Sequence, residues 1–239
     1  MKIAIIGYGK MGHEIEAIAL ERGHTIGLTI GQSNTHELTA QNLETIDVAI
    51  EFTMPESAFN NVKTCLLANK PVVCGTTGWL NKLMEAKNIT EQGNGALFYA
   101  SNFSIGVNLF FKVNRLLAKY IEIAKGYKVG IEETHHIQKK DAPSGTAITL
   151  AQIIADELKC FEGWSLLPEF KDNMIPIKSI RDGSVPGTHT VHYHSEQDEI
   201  TLTHRAKSRR GFALGAVLAA EFAYGKKGFL TMDSFLQIE

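Results

Sequence analysis

A chain that opens with the apolar run Ile3-Ala4-Ile5-Ile6 and passes at once into Gly7-Tyr8-Gly9-Lys10-Met11-Gly12 has few ways to fold. Helical spacing follows through Ile15, Ile18, Ala19 and Leu20; Gly23 stops it, and Thr25–Ile30 reads as a second strand. Strand, GxGxxG, helix and strand within about 30 residues form the context that makes this glycine pattern a dinucleotide-binding unit. Gly7 permits the tight turn, Gly9 lets a pyrophosphate approach the backbone, and Gly12 lets the helix lie close to the sheet. The plainer alternative is a glycine-rich turn with no ligand. The place of the motif at the head of an alternating chain favours dinucleotide binding.

That alternation continues. Val48–Phe52, Pro71–Cys74 and Ala96–Tyr99 read as strands, with helical patterns over Ser57–Asn69 and Leu80–Glu91 between them. Repeated βα units of this length predict a parallel, doubly wound sheet. Ligands bind beyond the carboxyl ends of such strands, where Gly75-Thr76-Thr77-Gly78 and Ala100-Ser101-Asn102-Phe103 fall. An acid about 20 residues past the glycines usually grips the NAD ribose. Here Gly31-Gln32-Ser33-Asn34 carries none, and Lys10, Gln32, Ser33 and Asn34 are available to a 2′-phosphate. This predicts NADPH, or tolerance of both NADPH and NADH.

After Phe103 the rhythm breaks. Ile105–Ala118 reads as an apolar helix, Tyr127–Thr134 as a strand, and Thr146–Lys159 as a helix followed by an irregular segment around Trp164–Pro168. Ile175–Arg181, Thr188–Ser195 and Glu199–Arg205 read as successive strands without crossover helices. They predict a separate domain with a mixed, largely antiparallel open sheet. Thr190, His192 and His194 share one face there, a polar strand face rather than a metal site. Phe212–Tyr224 and Phe229–Leu236 are expected to return to the first domain. The division is residues 1–103 completed by 211–239, and residues 104–210. In class the fold is α/β: a Rossmann-like parallel-sheet domain plus an α+β domain for substrate and oligomerisation.

One stretch of the second domain concentrates chemistry: Glu133-Thr134-His135-His136-Ile137-Gln138-Lys139-Lys140-Asp141-Ala142-Pro143-Ser144-Gly145-Thr146. Two imidazoles and two ammonium groups precede a turn in which Ser144 or Thr146 can cap the next helix. The free N–H groups of that helix's first turn attract carboxylate or phosphate. A solvated polar loop is the bland reading; the coincidence of cap, anion-binding turn and cations favours a small anionic substrate that is also protonated. A formal net charge of −2 argues against bulk attraction to nucleic acid or anionic membrane. Cys65, Cys74 and Cys160 form no CxxC and suit a reducing compartment. The start of the chain shows no signal-peptide pattern. The most apolar long window, Gly211–Tyr224, contains Glu221 and falls short of the roughly 20 residues of a membrane span. A cytoplasmic enzyme is expected.

Taken together, these motifs resemble the 4-hydroxy-tetrahydrodipicolinate (dihydrodipicolinate) reductase family. The resemblance runs through Gly7–Gly12, Phe52–Glu56, Gly75–Gly78, Ser101–Asn108, Glu133–Ala147, Arg181–His189 and Thr203–Arg209. The His-His and Lys-Asp-Ala-Pro-Ser-Gly-Thr-Ala combination is its most specific part. It implies NADH- or NADPH-dependent reduction in diaminopimelate and lysine synthesis, without a metal. By matching position, His135 and Lys139 are the catalytic pair. His136, Lys139, Gly145 and Thr146 hold the carboxylates of the substrate. Gly7–Gly12, Gly75–Thr77 and Ala100–Phe103, with Phe52 and Thr53, hold the cofactor. A homotetramer built through the second-domain sheet is also implied.

The implied chemistry suits these residues. Hydride arriving on the conjugated ring leaves an electron-rich centre that takes up a proton, which Lys139 donates while His135 stabilises charge or relays the proton. Turnover is expected to need hinge closure about the joins near Phe103 and Arg210. Two rivals remain at this point: another two-domain sugar or polyol dehydrogenase, and a non-catalytic dinucleotide-binding regulator.

Overall fold

The computed structural model describes residues 1–208 and 210–237. The chain divides into two compact units, one of Met1–Ser104 with Arg210–Glu239 and one of Ile105–Arg209.

In the first unit, β1 (Lys2–Ile6), β2 (Thr25–Ile30), β3 (Val48–Glu51), β4 (Val72–Cys74), β5 (Ala96–Tyr99) and β11 (Gly228–Leu230) form one sheet. Their order is β11-β5-β4-β3-β1-β2, and every pairing is parallel. This doubly wound order reverses direction at β1, next to β3. The expected parallel sheet is therefore present. Residues Ile3–Ile6, Val48–Ile50 and Val72–Cys74 are buried because helices cover both faces. Those helices include α1 (Lys10–Glu21), α2 (Ala40–Leu43), α3 (Pro55–Leu67), α4 (Leu83–Gln92), α7 (Arg210–Ala223) and α8 (Met232–Leu236). Pro55, at the first helical position of α3, has a ring already shaped for helix entry.

In the second unit, β6 (Lys128–His135), β7 (Gly163–Leu166), β8 (Met174–Arg181), β9 (Thr188–His194) and β10 (Glu199–Arg205) form a sheet ordered β10-β9-β6-β8-β7. The β10–β9 and β9–β6 pairings are antiparallel, whereas β6–β8 and β8–β7 are parallel. The mixed sheet is as expected, although it is evenly divided rather than largely antiparallel. The segment around Trp164 is not irregular: it supplies the edge strand β7. α5 (Ile105–Ala124) is longer than its apolar pattern, and α6 begins at Gly145 and ends at Glu157. Both pack on one sheet face, where Phe110, Ile121, Leu150, Ala151 and Ile154 meet Val129, Ile131, Ile175, Ile177, Val191 and Tyr193. Full burial of one such aliphatic side chain contributes about 1.5–3 kcal/mol. Among the described residues, no helix is long and apolar enough to cross a membrane.

Candidate active site

The first unit brings its glycine loop and the ends of β3, β4 and β5 together. Gly7 has φ +101°, and a Cβ there would lie 2.0 Å from the Phe52 carbonyl oxygen, so only glycine fits the turn. A Cβ on Gly12 would lie 2.5 Å from the Gly7 carbonyl oxygen, whereas the space beside Gly9 is open to 4 Å. This cradle fits a pyrophosphate at the start of α1. The Phe52 ring fills the space over Gly75 and meets Phe103 at a centroid distance of 5.6 Å. Thr53 N donates to Thr76 Oγ1 at 2.8 Å, which ties the β3 loop to the β4 loop. Ala100 N donates to the Cys74 carbonyl at 3.4 Å, and Asn102 Oδ1 accepts from Ser104 N at 2.8 Å. Lys10, Ser101 and Thr77 are exposed, Met11 is half-buried, and Tyr8 donates its hydroxyl to Glu16. Beneath the loops lies Glu51, which the sequence did not single out. Fully buried, it accepts from the Thr53 hydroxyl and from Cys74 Sγ at 3.1 Å. Burial holds the Cys74 thiol far above its usual range, so it donates rather than ionises.

At the end of β2 the structure departs from the sequence reading. Gln32 and Ser33 are exposed, but Asn34 is engaged by its own chain. Its Oδ1 accepts from Gly31 N at 2.7 Å, and its Nδ2 donates to the Thr29 carbonyl and to Glu37 Oε2, both at 2.9 Å. The Asn34 amide is thus already paired within its own loop. The short 3-10 turn Thr35–Glu37 that follows carries an acid, Glu37, three residues beyond Asn34.

The second unit builds its site where the core face of the sheet ends. Side chains alternate across a strand, so Val129, Ile131, Glu133 and His135 share the buried face of β6. The last two of these are polar. Register sets His135 opposite Arg181 on β8, and Glu133 opposite His189 on β9. Glu133, 0% exposed, bonds His135 Nδ1 with one oxygen and accepts from Arg181 Nη2 at 3.0 Å with the other. Burial alone would raise its pKa, but the hydrogen bonding of His135, of Ser179 opposite it on β8 and of Arg181 prevails and holds it at about 2. Arg181 also donates to the backbone carbonyls of Lys139 at 3.3 Å and Asp141 at 2.6 Å. The loop after β6 is thereby fastened to β8.

His189 packs edge-on to His135 with centroids 5.0 Å apart, and burial pushes it down to about 4, so it is neutral at physiological pH. Its Nε2 lies 3.0 Å from Ser144 Oγ. Ser144 is the residue that caps α6, accepting from Ala147 N at 3.3 Å, and Thr146 is not the cap. Beyond it the space beside Gly145 is open, and Thr146 is half-buried in the first turn. His136 Nδ1 is buried without a hydrogen-bond partner among the described residues. Glu133, His135 and His189 place possible ligand atoms within 4.8 Å of one another. The guanidinium already bonded to Glu133 makes this a poor place for a second cation. Glu133, Arg181 and His189 were missing from the sequence-derived site. All three lie in segments that carry the resemblance, but strand register is what brings them together. Of the resembling motifs, Arg209 lies outside the described residues.

The comparisons agree over the full chain. Residues 1–103 match the family model described as dihydrodipicolinate reductase, N-terminus, and residues 106–236 match the one described as dihydrodipicolinate reductase, C-terminus. A 4-hydroxy-tetrahydrodipicolinate reductase of Christiangramia forsetii is 49% identical, covering 99% of this chain and 98% of the relative. One of Methanococcus aeolicus is 38% identical, covering 90% and 83%. The solved structure of a dipicolinate-bound dihydrodipicolinate reductase from Paenisporosarcina sp. TG-14 has a TM-score of 0.80 at 25% identity, over 98% of both chains. With both halves matched and near-half identity to a full-length relative, the chain belongs to the dihydrodipicolinate reductase family.

Proposed function

We propose that this protein reduces 4-hydroxy-tetrahydrodipicolinate to tetrahydrodipicolinate with a reduced nicotinamide cofactor, in diaminopimelate and lysine synthesis. The observation that carries this reading is the convergence of His135, Glu133, Arg181 and the Lys139 loop beside the start of α6. Such an array holds a small dicarboxylate and delivers a proton to it.

NADPH or NADH, when bound, supplies the hydride. Gly7–Gly12 cradle the pyrophosphate, and Phe52, Thr53, Gly75–Thr77 and Ala100–Phe103 form the loops that receive the rest of the cofactor. Lys10, Gln32 and Ser33 favour a 2′-phosphate, and the Glu37 carboxylate favours a free ribose; both cofactors are accepted. His136, Lys139 and the N–H groups of Gly145 and Thr146 orient the carboxylates of the substrate through charge-assisted hydrogen bonds. The 4-hydroxyl leaves as water to give a conjugated ring, and Lys139 gives a proton to the ring carbon that becomes electron-rich when hydride adds. His135 bears part of the developing charge or relays that proton. A donor so placed contributes typically about 10²–10⁴-fold in rate.

The protein works in the cytoplasm, as its free cysteines suit. Four copies associate through the outer face of the second-unit sheet, which carries Thr190, His192 and Lys178. Steady-state kinetics with the product of dihydrodipicolinate synthase and each cofactor test the activity. Turnover with that compound is expected. Turnover of a polyol instead, or cofactor binding with no turnover, overturns the reading.

A further inference from the structure

We propose that Glu133 is a positioning residue that selects the tautomer of His135. Its carboxylate, shared with Arg181, keeps the proton on Nδ1 and leaves Nε2 as the nitrogen that exchanges a proton at the site. This rests on the role given to His135 above.

The argument begins with acceptor capacity. An ionised carboxylate can only accept hydrogen bonds. Glu133 is buried and ionised, so each group bonded to it must donate. Arg181 always does, and His135 therefore presents Nδ1–H. A buried carboxylate without such donors would be costly, so the two bonds are mutually required. The sheet enforces them: β6 and β8 run parallel with His135 opposite Arg181, and Glu133 lies on the same face as His135.

The surroundings keep the second nitrogen clear. Gly187 passes the ring so closely that a Cβ would lie 3.0 Å from His135 Nε2. The neighbouring His189 is neutral and held on Ser144, so it sets no second positive charge against a protonated His135. A proton gained at Nε2 makes an imidazolium whose far side rests on a carboxylate. This is how an orienting acid assists a histidine without itself taking the proton. Through the carbonyls of Lys139 and Asp141, Arg181 couples the same carboxylate to the loop of the proton donor.

Glu133→Gln tests the idea, because the amide keeps the shape but offers one acceptor oxygen in place of two. Arg181 stays charged and takes that oxygen. The amide NH₂ then faces Nδ1, which must accept, and the imidazole proton moves to Nε2. Imidazole 15N–1H correlation spectra report the tautomer directly, with His135 assigned by its loss in His135→Gln. Expected are Nδ1–H in the wild type, Nε2–H in Glu133→Gln, and Nδ1–H again in Arg181→Gln, where both carboxylate oxygens remain. The tautomer change should lower kcat by about 10²–10⁴-fold, with a much smaller change in KM and unaltered NADPH affinity.

An Nε2–H wild type, an unchanged tautomer in Glu133→Gln, or an inverted one with full kcat each overturns the proposal. Should Glu133→Gln fail to fold, the wild-type and Arg181→Gln spectra still decide the tautomer claim. The spectra need no substrate, so absent reductase turnover would remove the functional reading while leaving the tautomer result standing.

Discussion

Lys139 Nζ lies 2.8 and 2.7 Å from the two carboxylate oxygens of Asp141, so the chain itself occupies the ammonium proposed to serve substrate. The hydrogen bonds from Lys139 hold the Asp141 carboxyl below its usual range. The Asp141 side chain is 61% exposed, and such pairs contribute only about 0–1 kcal/mol. A substrate carboxylate can displace it at little cost. Removing the ammonium itself is a different matter. Lys139→Ala is expected to lower kcat by about 10²–10⁴-fold and to raise KM far less. Near-normal kcat in steady-state assays would remove Lys139 from the mechanism.

The buried histidine gives a pH signature. His189 has its pKa lowered from 6.5 to about 4, chiefly by desolvation. The unfolded chain therefore binds this proton at a higher pH than the folded one does. Stability is complete above 6.5 and falls as the pH drops from 6.5 towards 4, by on the order of 3 kcal/mol for about 2.5 units. Glu133, lowered to about 2, adds a loss that begins only below its ordinary value of 4.5. Thermal unfolding across this range should show a shallower decline between pH 6.5 and 4.5 in His189→Gln. An unchanged slope would exclude His189 as its source.

Gly215 on α7 faces the Phe103 carbonyl, where a Cβ would come within 1.6 Å. No rotamer change relieves a clash with backbone, so helix or loop must move. Gly215→Ala is expected to cost about 1–3 kcal/mol. It should also weaken NADPH binding, because Phe103 packs on Phe52 in the proposed cofactor pocket. Chemical denaturation and cofactor titration should both shift.

Cofactor choice is tested at Glu37. Its carboxylate is 2.9 Å from Asn34 Nδ2, at the end of the strand where the ribose of a dinucleotide is held. Removing that charge in Glu37→Gln is expected to favour NADPH over NADH by roughly five-fold, or about 1 kcal/mol. The ratio of the two kcat/KM values measures it, and an unchanged ratio rejects the assignment.

Much was legible in the residues because the signals are local. The run Ile3–Ile6 ending at Gly7 marks a buried strand and a turn, since no other residue tolerates what Gly7 meets. Parallel order followed from strands separated by helical patterns, as crossover connections need that length of chain. The cationic stretch and a cap at Ser144 or Thr146 were likewise readable, because capping depends on neighbours a few positions away, and the structure selects Ser144. The edge strand β7 was not: its four residues are too few to display alternation, and what they lean on is β8.

The sequence by itself thus determined the parallel α/β sheet, the mixed second sheet, and the residue types from which the dinucleotide and acidic-substrate sites are proposed. Only tertiary structure decided which groups answer one another. Arg181 reaches Glu133 through strand register, His189 meets His135 across the sheet, and Asn34 is claimed by its own loop together with Glu37. The reason is physical: helix and strand periodicity act over a few residues, while the pairing of buried charges is set by backbone hydrogen bonds between distant strands.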